Sequence, residues 1–431
     1  MDWKKLAWVA APSLALVVIV LLFVNHLLDP LPPRRITIST GREGGAYYLF
    51  AKEYAKLAEK DGFIVEIQTG AGSVETLKRL VAGQVMAGFV QGGTAEAGPS
   101  EGLRSLGSLY YEPVWVFHRK GRPLQGLADL RGLRIQVGEE GSGIRPLAVR
   151  LLRDSGITAQ NSTLLALTSE NAATALEAGR IDAAFFIMSP GIPLVRRLLL
   201  SPSVALWSVR RTLAYTTRYR FMSTVTLGEG VVDLASNIPN QDILLLASTA
   251  NLVVREDVHP VIVRLLLKTA EIVHSRPGLF EAPNTFPSDT LVELPLHDVA
   301  RRYLRKGPPF LERYLPFWIA VTVERWALLL IPVVGILLPL GRILPGLYNA
   351  QVRKRITRWY REVHEVDHAL ARCTDEEAKA AAERLRGIQQ KLADMPPPPA
   401  GLMHELYDLR QHVEWLIAQA DERAASRHSP R

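Results

Sequence analysis

The chain of 431 residues has a single cysteine, Cys373, so its long middle is free of thiols. Zinc-ligand spacings, a phosphate-binding P-loop and RNA-binding signatures are also missing. His118, His259, His274 and His297 are scattered without metal-ligand spacing and read as structural residues. Ser142 stands between two glycines, but lacks a Gly-x-Ser-x-Gly context and identifiable His and Asp partners. The reading is therefore of a protein that is not an enzyme, without cofactor, metal or nucleic-acid partner. The net charge of +8 is distributed locally and does not by itself argue for nucleic acid.

What is present is one local grammar, used three times. Ile36 and Ile38 alternate with polar residues, as in a strand with one buried face. Gly41, Gly44 and Gly45 then allow a tight turn and close approach of a ligand to the backbone. A helix is predicted over residues 46–60, stopped by Asp61 and Gly62. The unpaired N–H groups at its start form a site for an anion or carboxylate; the alternative is a plain strand-to-helix turn. A second strand, residues 63–69, leads through Gly70 and Gly72 to a helix with Ser73 as N-cap and Glu75 in its first turn. Val74, Leu77, Leu80 and Val81 are its expected buried stripe, and Gly83 its stop. A third strand, residues 133–137, is followed by a loop over 138–143 and a helix carrying Leu147, Leu151 and Leu152. Three such junctions aim three helix starts at one cleft, beyond the carboxyl ends of the strands.

Thr40, Gly41, Gly44, Gly45, Tyr47 and Tyr48, then Gly72, Ser73, Val74 and Glu75, then Gly88, Phe89, Val90 and Gln91 carry a resemblance. Residues 127–135, the Gly141, Ser142, Gly143 triplet and residues 179–186 continue it in the same order. Together they resemble the solute receptors of TAXI-type TRAP transporters, over residues 34–255. The resemblance implies an α/β, two-lobed periplasmic-binding-protein fold of type II-like topology. It implies closure on a small organic anion or amino acid and work with TRAP-type permease subunits. That family usually has small or hydroxyl residues where Arg42 and Glu43 stand, and Thr where Ile144 stands. The expected ligand-binding residues are Thr40, Gly41, Gly44, Gly45, Tyr47, Tyr48, Ser73, Val74, Gln91, Ser142, Gly143 and Arg145. Ser73, Ser142 and Gly143 would present donors to a carboxylate, Tyr47 and Tyr48 would pack or hydrogen-bond, and Gln91 would read a polar group. Arg145 is either a bidentate clamp or a surface arginine of its helix. Glu43 pairs with a ligand ammonium or with Arg42.

The chain divides into a membrane anchor and spacer (1–33), a solute-binding domain (34–307, second lobe about 127–227), a second membrane segment with its approach (308–346) and a helical tail (347–431). Residues 6–28 are long and apolar enough to span a hydrocarbon core and follow Lys4 and Lys5. No small-x-small cleavage site follows, which favours an uncleaved anchor over a removed signal. A strand pair near 106–119, with Tyr110, Tyr111, Trp115 and Phe117 as sheet core, precedes a lobe crossover at 121–126. Residues 243–254 read as the return strand. Residues 326–344 read as a second span, kinked at Pro332 and Pro339, or alternatively as a buried core helix. Two spans put both termini on one side. The resemblance makes that side the cytoplasm of a bacterium and puts the binding domain outside the inner membrane, and the thiol-free middle agrees.

In the tail, Thr374 and Glu377 have capping-box spacing ahead of Leu385, Ile388 and Leu392. Leu402, Leu406, Leu409, Val413 and Leu416 follow heptad-like spacing after a proline break at 396–399. They make either a hairpin packed on its own neighbour or a face for self-association. The leading function is a membrane-tethered receptor for transport. The alternative is a ligand sensor acting through the second span on the tail, which carries no output signature of its own.

Overall fold

The apolar alternation at Ile36 and Ile38 forms β1 (Arg35–Ser39), with both side chains fully buried. The computed structural model describes residues 32–371 and 374–425, with positions 15, 18, 19 and 22 besides. The N-terminal apolar run and Cys373 thus lie almost wholly outside the described residues. The chain forms two compact units, residues 30–324 and residues 1–29 with 325–431.

In the first unit, α1 (Ala46–Lys60), β2 (Ile64–Gln68), α2 (Ser73–Val81) and β3 (Ala87–Gln91) follow β1. The helix α1 ends as the sequence predicts, with Asp61 as its cap and Gly62 at φ +83°. The strand β4 (Leu103–Arg119) runs on to β5 (Arg134–Gln136), α3 (Ile144–Asp154), β6 (Thr163–Leu165) and α4 (Ser169–Glu177). Next come β7 (Ala183–Ile187), α5 (Pro193–Leu200), β8 (Val204–Leu206), α6 (Thr212–Arg218) and β9 (Ser223–Leu227). The return strand is β10 (Ile243–Arg255), followed by α7 (Pro260–His274) and α8 (Asp298–Lys306).

The sheet order is β2-β1-β3-β10-β4-β7-β5-β6, with β8 against β4 and β9 against β10. Parallel β1, β2 and β3, edged by antiparallel β10, make one lobe. Parallel β5, β6 and β7, edged by antiparallel β4, make the other. Strands buried on both faces read as continuous apolar runs, and β3 and β7 are buried at every position.

The expected strand pair near 106–119 is one strand. It pairs with β10 as far as Pro113 and with β7 from Val114 onward. Pro113, which has no N–H, falls where β4 changes partner, so no ladder bond is lost within either pairing. The passage between lobes therefore lies inside β4, upstream of the expected crossover at 121–126. The buried stripe of α2 also differs. Ser73, Thr76, Leu77 and Leu80 are buried, whereas Val81 is largely exposed.

The second unit contains most of α9 (Phe317–Leu370), with α10 (Asp375–Ala393) and α11 (Met403–Ala425). The capping box at its second helix forms, the Thr374 N–H donating to Glu377 Oε2 at 2.7 Å. Leu402, Leu406, Leu409, Val413 and Leu416 are buried with Leu385, Ile388 and Leu392 and with Ile356, Val363 and Val366 of α9. The heptad-like seam is thus the core of a helical hairpin packed on its own neighbour. Among the described residues no helix is long and apolar enough to cross a membrane.

Candidate functional site

The loops after β1, β2, β3 and β5 converge where the two lobes meet. Each follows the carboxyl end of a parallel strand, where open α/β sheets present ligand-binding loops. Gly72, at φ +142°, lies directly against the other lobe. A Cβ there would stand 3.2 Å from Ser142 Cα and 3.4 Å from Gly143 N. Opposite, a Cβ on Gly143 would stand 2.8 Å from Gln91 Oε1 and 3.0 Å from Ser73 Oγ. Both positions need glycine because backbone meets backbone or buried side chain across the cleft.

A chain of polar contacts runs through this junction. Gln91 Nε2 donates to the Gly143 carbonyl at 3.1 Å, linking the lobes. The Gln91 N–H donates to Ser73 Oγ at 2.9 Å. Ser73 also bears on the Tyr47 hydroxyl, and Tyr47 Oη donates to Glu112 Oε2 at 2.8 Å. At the rim, Arg42 Nη2 donates to both carboxylate oxygens of Glu139, and Arg150 pairs with Glu96 at 2.9 Å. Such exposed pairs contribute about 0–1 kcal/mol. They orient the rims more than they hold them.

Of the residues expected at the site, Tyr47, Ser73, Gln91 and Gly143 are joined in this network. Ser73 is the first helical residue of α2, whose N-cap is Gly72, and its hydroxyl serves β3 rather than a cap. Gly41, Gly44 and Gly45 form the turn into α1, with Gly44 at φ +79° and Gly45 N donating to Arg42 O. The others make different contacts. Thr40 donates to the Gly41 carbonyl, and Ser142 Oγ donates to Glu139 O at 2.6 Å within its own loop. Arg145 Nη1 reaches back to Gly138 O at 3.2 Å. Tyr48 lies beneath Lys52, and Val74 is half-buried facing Gly98. Of the expected structural histidines, His259 and His297 each accept an N–H at a helix start.

Sequence reading missed Glu112. It lies on β4 just before the passage between lobes and is 3% exposed. Burial pushes its carboxyl up to about 8, against a smaller opposing effect of the Tyr47 and Tyr110 hydroxyls. The legible signal was one acid in an apolar strand, flanked by Tyr110, Tyr111 and Pro113. Beneath it, His274 packs against Tyr110, Phe50 and Tyr54, and burial pulls its imidazole down to about 3.

These two groups have opposite linkage to stability. Folded Glu112 keeps a proton that the unfolded chain releases between about 4.5 and 8, so its contribution falls as pH rises through that window. Folded His274 refuses a proton that the unfolded chain takes up between about 3 and 6.5, so its contribution rises with pH there. Glu112→Gln is therefore expected to lose about 2 kcal/mol less stability than wild type between pH 6.5 and 9. Urea unfolding of the ligand-free protein at both pH values measures this. Parallel pH profiles would refute it.

A family model matches residues 38–306, more than half of the chain and both lobes described above. The chain belongs to the NMT1-like family. The NMT1-like stretch overlaps the residues on which the receptor resemblance rests and ends with α8. Solved structures similar to it include the periplasmic aliphatic sulphonate binding protein SsuA from Escherichia coli. That similarity has 17% identity over 56% of this chain and 73% of the other, with a TM-score of 0.37. The alkanesulfonate-binding protein SsuA from Xanthomonas axonopodis pv. citri, bound to MOPS, is 19% identical over 69% of this chain and 94% of the other, with a TM-score of 0.39. The amino acid ABC transporter substrate-binding protein AbpA from Streptococcus pneumoniae, bound to L-arginine, is 17% identical over 56% and 89%, with a TM-score of 0.36.

Proposed function

We propose that the protein captures a small carboxylate or amino acid by closing two lobes around it, and does not catalyse a reaction. The observation that carries this is the Ser73–Gln91–Gly143 contact, which joins lobes that share the long strands β4 and β10. Two strands shared by two lobes form a hinge, and glycine loops at strand ends supply backbone donors for an anion. The resemblance to TAXI receptors extends this to a partnership with TRAP-type permease subunits. The receptor is tethered through residues 6–28 and 326–344, with the lobes outside the bacterial inner membrane and both termini in the cytoplasm. The test is native mass spectrometry of residues 30–324, purified without denaturation. The expected result is one co-purified organic anion or amino acid per chain, lost on partial unfolding. A bare protein whose melting no carboxylate or amino acid shifts would refute capture.

A second reading is favoured by the C-terminal unit. Its helices pack around a hydrophobic core of their own. In this reading the same lobes sense a ligand and report through the second membrane segment to a partner of the helical tail.

A further inference from the structure

Resting on the capture reading, we infer that the Glu112 carboxylate and the Ser248 hydroxyl beside it form a subsite for a protonated amine of the ligand. Ser248 stands directly opposite Glu112 in the antiparallel β4–β10 register, so both side chains rise from one face of the sheet. Ser248 Oγ is fully buried and has no hydrogen-bond partner. Tyr110, two residues from Glu112 on the same face, is buried with its hydroxyl bearing on the carboxyl. Buried polar groups are almost always paired, so a hydroxyl with no partner among the described residues, opposite a buried acid, points to a group that engages it. Gly92 packs closely over this corner, where a Cβ would stand 3.2 Å from Thr249 O and 3.3 Å from Ser248 Cβ.

The charge balance selects the kind of group. The groups bearing on Glu112 are the Tyr47 hydroxyl from α1 and the Tyr110 hydroxyl from β4 itself. Behind Tyr110 lie Tyr54 of α1 and His274 of α7, the latter held neutral by burial. No cation is among them, and Arg42, Arg150, Arg145 and Arg79 near the cleft are engaged elsewhere, with Glu139, Glu96, the Gly138 carbonyl, and Glu75 with the Thr69 carbonyl. An anionic ligand group would disfavour ionisation of Glu112, whereas an ammonium stabilises the ionised carboxylate and donates to Glu112 and Ser248 together. Tyr47 holds the carboxylate oriented and connects it to Ser73, which places the amine one hydroxyl away from the backbone donors at the helix starts. The ligand class is then a zwitterion. Because burial keeps the empty carboxyl protonated up to about pH 8, binding of the ammonium ionises Glu112 and releases its proton to the buffer.

The purified full chain is tested with three matched sets of probes: the common L-amino acids, their 2-oxo acids and their primary amines. Thermal shifts rank the probes, and calorimetry at pH 6.5 in two buffers of different ionisation enthalpy counts protons. The expected result is one amino acid bound at least tenfold more tightly than its 2-oxo acid, with close to one proton released. Glu112→Gln is expected to lose tenfold or more for the amino acid and little for the 2-oxo acid, and Ser248→Ala to lose severalfold. Equal binding of amino acid and 2-oxo acid, or no proton release by wild type, overturns the amine subsite and leaves capture standing. The proton count needs no variant, so it decides the matter even where Glu112→Gln fails to fold. If no probe binds the wild-type chain, the amine subsite falls, and capture is decided by the co-purified ligand alone.

Discussion

Replacing Gly143 by alanine is expected to hold the two lobes apart. Its backbone, at φ −72° and ψ −24°, is one that alanine adopts freely, so the substitution adds only a methyl group. That methyl would meet Gln91 Oε1 at 2.8 Å, Ser73 Oγ at 3.0 Å and Gln91 Cβ at 3.1 Å. Gln91 has little freedom to retreat, because it is 4% exposed and its amide is bonded to the Gly143 carbonyl. Ser73 is held in turn by the Gln91 N–H. Overpacking a fitted contact costs about 1–3 kcal/mol, which converts to roughly five- to 150-fold in ligand affinity when the contact exists only in the closed form. Small-angle scattering should show a more extended unit, while urea unfolding of the ligand-free protein stays near wild type. Unchanged affinity and compactness would show that closure does not bring Gly143 against Gln91.

Trp115→Ala is expected to destabilise the second lobe by about 3–5 kcal/mol, the range for emptying a large buried aromatic site. Trp115 is fully buried, stacked against Phe117 with centroids 6.5 Å apart and packed against Phe280. Its indole Nε1 donates to the Met188 carbonyl at 3.0 Å, just beyond the end of β7. The truncation thus removes a core filler and leaves a half-buried carbonyl with one bond fewer. Trp115→Phe keeps most of the area and loses only the hydrogen bond, so it should cost about 1–3 kcal/mol by the same reasoning. Urea unfolding curves of the two variants measure both values. Equal costs would mean that the hydrogen bond, not the packing, dominates.

How far the sequence could be read follows from how local each feature is. The first strand–glycine–helix junction was legible because strand alternation, glycine turns and helix stops all act within a few residues, and α1 ends where Asp61 and Gly62 predict. The tail was legible for the same reason, since helical spacing alone brings Leu406, Leu409 and Val413 onto one face. Local rules misled where a distant partner claims the residue. Ser73 has the chemistry of an N-cap, but the N–H of Gln91 from the neighbouring strand takes its hydroxyl. Pro113 and Glu112 look like an interruption between two strands, yet a change of partner strand absorbs both. Glu112 could not be linked to Tyr47 and Ser248 from sequence, because its hydrogen bond to Tyr47 of α1 and its register with Ser248 of β10 join residues far apart along the chain.

The two lobes share strands, and that governs the order in which they can be completed during synthesis. The second lobe lies between β4 and β10, so nearly all of it leaves the ribosome before the last strand of the first lobe is made. Until then β3 has no partner on the side that β10 will cover, and Phe89 and Ile38 lack the apolar wall that Leu252 and α7 later provide. The half made first is therefore the half finished last. An unpaired strand edge on a nascent chain is a site for mispairing.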